Sequence, residues 1–313
     1  VSLLIDQYGR RIRKLRISLT DKCNLRCHYC MPLDTTFISE HRYLSPAGIV
    51  EIAKELFGFG LEEIRLTGGE PLLRKGFDDI ALGLAEIPFR KRGLTTNGVR
   101  LSQHLPILKD AAFNHLNISL DSLREDRFEK ITQGKNLKTV IAAIEQASLM
   151  GFQVKINAVA MKGVNDDEFF DFVQFAKNNN CEIRFLELMK IGHARSFQER
   201  QFISAQEILT LLRERMKLEP VVTTEDSTSF SYLNGQKVKI GFIASETQAF
   251  CGTCSRWRLS AEGILRGCLF RDEGLDLKGQ SSEQRLVTYS EVLKMKPYSR
   301  PESVAHQMNS IGG

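Results

Sequence analysis

The stretch DKCNLRCHYCMP holds three cysteines within eight positions, Cys23, Cys27 and Cys30, and a second trio, Cys251, Cys254 and Cys268, gathers late in the chain. Thiolates at such short spacing are soft ligands that converge on a metal from one loop. A structural zinc site closes its tetrahedron with four ligands, commonly two C-x2-C pairs. Neither trio supplies a fourth, and none of the six histidines falls at a spacing that sets two on one helical face. The order C-x3-C-x2-C, with Tyr29 just before the last thiol, is unlike a zinc ribbon. Three thiolates can hold three irons of a four-iron cluster and leave the fourth with an open position, which makes it a reactive centre. Seven cysteines, an odd number, speak against a disulfide framework. Cys181, alone in the apolar run NNCEIRFLELM, reads as a small buried hydrophobe.

The chain that must position these groups has 313 residues, enough for one large domain or two ordinary ones. Its formal net charge of +5 is too small to mark a nucleic-acid binder. Arginines and lysines crowd instead at 10–16 and 256–271, which favours a local anionic ligand, although Arg10, Arg11 and Lys14 read equally well as solvated charge. No segment approaches the roughly eighteen consecutive apolar residues of a membrane span. The opening VSLLIDQYGRRIRKLR has no apolar stretch backed by a cleavage site, so the cytoplasm is the expected compartment.

Through the first two thirds, strand-like runs at 14–20, 62–67, 92–97, 115–121, 153–160 and 182–188 alternate with helical runs at 46–58, 77–87, 104–112, 137–150 and 167–178. In the fourth helix Leu137, Val140, Ile141, Ile144 and Ala147 keep three-and-four spacing, and Gly151 stands where a C-terminal cap belongs. Polar punctuation follows several different strands: cysteines after the first, Gly-Gly-Glu-Pro after the second, Thr-Asn-Gly after the third, Asp-Ser after the fourth. Chemistry spread over many strand ends predicts an incomplete (β/α)6 barrel of the TIM type; an open doubly wound sheet would gather it at one switch point.

Parallel strands covered by helices are usually apolar throughout, yet these alternate. Leu15, Ile17 and Leu19 oppose Arg16 and Ser18; Leu116, Ile118 and Leu120 oppose Asn117, Ser119 and Asp121; Val154 and Ile156 oppose Lys155 and Asn157. If helices cover the apolar face, the barrel lumen is lined by Arg16, Arg65, Asn117, Ser119, Lys155, Asn157 and Arg184, and something polar must fill it. An antiparallel sheet with one wet face would show the same alternation. From about 217 the composition turns polar and loses helical period. Two hairpins are predicted there, one turning at Asn234-Gly235 and one at Ala-Glu-Gly within RWRLSAEGILRGCLF. The expected division is 1–215 for the partial barrel and 216–313 for a smaller C-terminal α+β segment covering its open side.

CNLRCHYC after the first strand, TGGEP (67–71) after the second and SLDS (119–122) after the fourth resemble, in order and in place, the radical S-adenosylmethionine enzymes. FCGTCSRWRLSAEGILRGCL, with its C-x2-C-x13-C spacing, and the terminal MNSIGG resemble the GTP 3′,8-cyclase branch of them. The resemblance runs over essentially the whole chain. It implies a [4Fe–4S] cluster on Cys23, Cys27 and Cys30, whose open iron chelates S-adenosylmethionine and reduces it to methionine and a 5′-deoxyadenosyl radical. Tyr29, Arg65, Gly68, Gly69, Glu70, Thr96, Ser119 and Met189 would bind that cosubstrate, with the Glu70 carboxylate or neighbouring carbonyls meeting its ammonium group.

A second [4Fe–4S] cluster on Cys251, Cys254 and Cys268 would hold guanine. Arg16, Lys155, Arg184, Arg256 and Arg258 would meet the triphosphate. The radical would then take the ribose C3′ hydrogen, and C3′ would close onto C8 of guanine. Gly312 and Gly313 would form a tail entering the site. A position that carries lysine in some relatives is Glu63 here, which places it outside the site. The expected partners are a flavodoxin or ferredoxin as electron donor, the cyclic pyranopterin monophosphate synthase as recipient of the product, and a second copy of the chain, with neither nucleic acid nor membrane. The competing readings are a peptide-modifying radical enzyme with auxiliary clusters and, further off, a zinc-dependent nucleic-acid-binding protein.

Overall fold

The computed structural model describes residues 3–222, 228–235, 238–301, 304 and 307–311. Six strands follow in order: β1 (Lys14–Ser18), β2 (Glu63–Thr67), β3 (Lys91–Thr96), β4 (His115–Ser119), β5 (Gln153–Ala160) and β6 (Glu182–Glu187). Each pairs in parallel with the next. The crossovers carry α1 (Pro46–Gly58), α2 (Phe77–Ala85), α3 (Leu101–Asp110), α4 (Glu125–Thr132), α5 (Leu137–Leu149) and α6 (Phe169–Asn178). Then come α7 (Gln198–Gln201) and α8 (Ala205–Arg213), the latter started by a reciprocal Ser204–Glu207 capping box.

The fourth predicted helix is α5. It buries Leu137, Val140, Ala143, Ile144 and Ala147 and ends where Gly151 takes φ +80°. There the Phe152 and Gly151 amides donate to the carbonyls of Ala147 and Ser148, a Schellman ending. The helix α4 was not anticipated. Only Phe128 and Ile131 give EDRFEKIT an apolar face, and it stops on Gln133 rather than on glycine.

The C-terminal strands are β7 (Leu218–Val221), β8 (Phe230–Asn234), β9 (Lys239–Ile243), β10 (Arg256–Leu259), β11 (Ile264–Arg266) and β12 (Leu275–Asp276). Both predicted hairpins are present, β8 with β9 and β10 with β11. Their attachment is closer than a cover over the open side: β9 adds in parallel to β6 and β10 in parallel to β1. The result is one sheet in the order β12-β11-β10-β1-β2-β3-β4-β5-β6-β9-β8-β7. Without that addition β1 and β6 would be exposed edges with unpaired backbone groups. The sheet does not close, so the barrel is partial. All eight parallel strands line a single cavity, and Ile17, Leu116, Ile118, Val154 and Ile156 are buried on the opposite side.

Two further helices complete the described chain, α9 (Ser282–Met295) and the short α10 (Met308–Ile311). A buried network fastens α9 to α1. The Arg285 guanidinium donates to Glu55 at 2.8 Å, to Glu51 and to the Gln280 carbonyl at 2.8 Å, and Tyr289 donates to Glu55 at 2.9 Å. Fully buried Trp257 of β10 packs on Tyr289, with ring centroids 6.2 Å apart. Arg285→Met is therefore expected to cost about 3 kcal/mol of unfolding free energy, because half-buried Glu55 loses its charged partner. A urea titration showing a loss below about 0.5 kcal/mol, the range of an ordinary surface change, would refute this role.

Candidate active site

The first cysteine loop leaves the C-terminal end of β1 and is tied down by α4. The Arg26 and His28 amides donate to the Thr132 and Ile131 carbonyls at 2.8 and 3.0 Å. Cys23 Sγ accepts from the Leu25 amide at 3.4 Å and from the Asn97 side chain at 3.6 Å. Burial pushes the Cys23 thiol up to about 11, and burial with the neighbouring Cys23 and Asp121 pushes Cys30 up to about 12. Tyr29 donates to Asp121 at 2.7 Å, and the Val159 amide donates to the other oxygen of the same carboxylate at 2.8 Å. Asp121 has the strand parity of Asn117 and Ser119 and lines the cavity with them. That parity was legible in SLDS, yet Asp121 was not among the expected site residues.

The Gly-Gly-Glu turn after β2 packs backbone to backbone on the segment leading into Cys23. The Gly69 amide donates to the Thr20 carbonyl and the Glu70 amide to the Lys22 carbonyl, both at 2.7 Å. Gly68 and Gly69 line the cavity, but the Glu70 carboxylate faces into the protein and is fully buried. It accepts from Thr96 Oγ1 at 2.8 Å, from the Asn97 amide at 2.7 Å and from the Leu72 amide at 3.1 Å. Burial pushes this carboxyl up to about 7, against the pull of those three donors. Glu70 thus joins the ends of β2 and β3, and the cavity meets this turn through the glycines, whose carbonyls are the other acceptors the resemblance offers to an ammonium.

The lumen is as polar as the alternation predicts. Nine cationic side chains line it against three carboxylates, which suits a polyanion. The register sets Arg16 between Arg65 of β2 and Arg258 of β10. Next to Arg65, a Cβ at position 93 would lie 2.7 Å from the guanidinium carbon, so glycine there leaves Arg65 its place. Burial and the adjacent Arg256 push Arg258 down to about 10. Asn117 Oδ1, Asn157 Oδ1, Thr95 Oγ1 and Ser245 Oγ are buried with no hydrogen-bond partner among the described residues, and all four residues line the cavity. A polar ligand would complete them.

Two carboxylates temper the positive charge. Glu182 meets Arg184 at 2.6 Å and Lys155 at 3.2 Å. Burial raises its pKa, but Arg184, Lys155 and Lys239 together outweigh that and hold it below the ordinary range. Glu63, expected outside the site, lines the cavity on the parity of Arg65 and is paired with Lys14 at 3.3 Å and with Arg90.

Cys251 and Cys254 precede β10 and Cys268 follows β11, and all three face the same cavity as the first trio. Met189 lines the cavity and belongs to the apolar patch that includes Cys268 and Phe270. The second trio differs electrostatically. Burial raises Cys254 too, but Arg256 and Lys296 outweigh it and bring the thiol down to about 6. Arg256 and Arg258 both face the lumen, on either side of buried Trp257. Arg300, which sequence did not single out, also lines the cavity, with its guanidinium 4.2 Å from the Phe270 ring centroid. Arg10 is buried rather than solvated and donates to the Cys251 carbonyl at 2.7 Å.

Within each trio the thiols are near enough to perturb one another electrostatically. Yet among the described residues no group of three Cys, His, Asp or Glu side chains is drawn together tightly enough for a single metal ion. A curled parallel sheet brings a three-cysteine loop and a Gly-Gly turn to one polar cavity, the arrangement that the resemblance to radical S-adenosylmethionine enzymes implies.

Comparison with known proteins agrees. The Radical SAM superfamily model matches residues 17–176, and the Molybdenum Cofactor Synthesis C model matches 181–302. A GTP 3′,8-cyclase of Synechocystis is 50% identical over 99% of this chain and 95% of its own length. One of Aquifex aeolicus is 38% identical over 91% of this chain and 90% of its own. The structure of Streptococcus suis SuiB bound to S-adenosylmethionine superposes with a TM-score of 0.60 at 13% identity, over 92% of this chain and 68% of that one, a likeness of fold. The chain belongs to the GTP 3′,8-cyclase family of radical S-adenosylmethionine enzymes. Membership brings a [4Fe–4S] cluster and S-adenosylmethionine. Among the described residues no helix is long and apolar enough to cross a membrane.

Proposed function

We propose that the chain cyclises GTP to (8S)-3′,8-cyclo-7,8-dihydroguanosine 5′-triphosphate, the step that begins molybdenum cofactor biosynthesis. The supporting observation is that both cysteine trios and a strongly cationic lumen share one cavity. In this reading Cys23, Cys27 and Cys30 hold the cluster that binds S-adenosylmethionine. Cys251, Cys254 and Cys268 hold a second [4Fe–4S] cluster beside the guanine. With S-adenosylmethionine bound, the first site would supply the one-electron chemistry that takes the C3′ hydrogen of GTP.

The protein's own contribution is placement and exclusion of water. Arg65, Gly68, Gly69, Thr96, Ser119 and Tyr29 border the cosubstrate, Glu70 holds their loops in register, and Met189 closes the side toward the second trio. Arg16, Lys155, Arg184, Arg256 and Arg258 take the triphosphate, which competes with Glu182 for two of them. Residues 1–215 generate the radical and 216–313 present the substrate. Electron supply by a flavodoxin or ferredoxin, transfer of the product to the cyclic pyranopterin monophosphate synthase, a homodimer and a cytoplasmic location belong to the same proposal. Gly312 and Gly313, assigned by resemblance to a tail entering the site, lie outside the described residues.

The test uses anaerobically reconstituted protein with reductant, S-adenosylmethionine and GTP deuterated at C3′. The expected product is 5′-deoxyadenosine carrying that deuterium, formed together with the cyclic nucleotide. Equal deoxyadenosine without GTP, or equal turnover with ATP, would overturn the substrate assignment.

A further inference from the structure

The second cysteine trio is gripped from both ends of the chain by two buried cations to which the proposed reaction gives no part. Lys296, which closes α9, is 2% exposed. An ammonium has three N–H groups, and this one has three acceptors: Cys254 Sγ at 3.4 Å, the Arg256 carbonyl at 3.0 Å and the Gly267 carbonyl at 2.9 Å. A buried ammonium needs compensation, and the one acceptor here able to carry a full negative charge is a cysteine sulfur. The other two acceptors lie two residues beyond Cys254 and one residue before Cys268. Gly267 is pressed onto the end of α9, where a Cβ would stand 3.2 Å from Lys296 Cα and 3.3 Å from the Val292 carbonyl oxygen.

Arg10 completes the grip from the other end. It donates to the Cys251 carbonyl at 2.7 Å and to the carbonyl of Pro297, the neighbour of Lys296, at 2.8 Å. Its Nε donates to Asp6 at 2.7 Å, which fixes the guanidinium. All three cysteine segments are therefore referenced to two adjoining cations. The first trio is held differently, since Cys23 Sγ accepts from a backbone amide and the neutral Asn97 side chain.

We propose that Arg10 and Lys296 are positioning residues, a clamp that presets the sulfurs of the second trio and keeps a permanent positive charge against one of them. This rests on the reading of Cys251, Cys254 and Cys268 as cluster ligands. An N–H···S bond and a nearby cation favour the more negative, reduced state of an iron–sulfur centre, so Lys296 raises the reduction potential of the second one. Arg10 touches carbonyls rather than sulfur, and the Asp6 carboxylate at 2.7 Å offsets its charge, so it acts on retention alone.

The experiment isolates the second trio in the full chain carrying Cys23→Ala, Cys27→Ala and Cys30→Ala. It measures iron and sulfide per chain after anaerobic reconstitution, the rate of iron loss to a chelator, and the midpoint potential by redox titration. Lys296→Met is expected to lose iron about 10- to 100-fold faster and to titrate at a more negative potential, with Lys296→Arg restoring the potential toward that of the parent. Arg10→Gln is expected to lose iron faster at unchanged potential. If Lys296→Met does not fold, as read by circular dichroism, Lys296→Gln carries the potential measurement. A loaded parent whose Lys296 and Arg10 variants keep its potential and retention overturns the clamp and leaves the second cluster standing. A parent that takes up no iron overturns the cluster reading and the clamp with it.

Discussion

Replacing Gly69 with alanine is expected to deprive the first cysteine trio of its iron and to lower 5′-deoxyadenosine formation by at least about 100-fold, the order of loss that accompanies a misplacement of about 1 Å at a reacting centre. A Cβ at Gly69 would lie 2.4 Å from the Lys22 carbonyl oxygen and 2.5 Å from that of Asp21. Both are backbone atoms, so neither can swing aside as a side chain would. Nor is segment 20–22 free to retreat. The Asp21 carboxylate accepts from the Ile38 amide at 2.7 Å and from Tyr43, and the Asp21 carbonyl accepts from Asn309 at 3.0 Å. The displacement must pass forward into Cys23, the next residue. The control is Gly58→Ala, where an added Cβ meets nothing within 4 Å and φ is not positive. Iron content after reconstitution and deoxyadenosine yield read the outcome. A Gly69→Ala protein with full iron and the parent yield would show that the close approach of the two loops does not position the cysteines.

That argument also marks where the sequence stops being informative. The lumen was legible because strand parity is local: once helices are given one face, Arg16, Asn117, Lys155 and Arg184 must share the other, and they do. Gly68 and Gly69 were legible as a place where backbone comes close, but the partner is the cysteine loop itself. What the sequence did not reveal at Glu70 is that its carboxylate accepts from Leu72, Thr96 and Asn97, donors brought to it by the pairing of β2 with β3. The addition of β9 and β10 to the sheet edges could not be read, since strand pairing depends on contacts far apart in the chain. The same holds for Arg10 and Lys296, whose partners lie between 29 and 287 residues away, the Asp6 contact excepted. Their local surroundings, RRIRK and LKMKP, look like solvated charge.

Cys268→Ala is expected to separate the two halves of the chemistry. Cys268 sits after β11, in a small apolar patch with Ile191, Phe270 and Val304. The first cysteine loop is held chiefly by α4 and by the turn after β2, with a bond from Asn309 of α10 and none from Cys268. Losing one sulfur from the second trio therefore leaves the geometry of Cys23, Cys27 and Cys30 intact, and an alanine in a partly exposed apolar patch disturbs the fold little. The substituted protein should keep the brown absorption and the capacity to cleave S-adenosylmethionine, at reduced iron content. Cyclic product should fall by at least about 100-fold, because a guanine no longer fixed beside the second trio leaves C3′ and C8 without a shared orientation. Deoxyadenosine would then form without matching cyclisation, and the ratio of the two products is the quantity to measure. An unchanged ratio at an unchanged product yield would mean that Cys268 holds nothing the substrate needs. Guanine placement would then fall to the cationic lumen alone, to Arg16, Arg256 and Arg258 across the junction of β1 and β10.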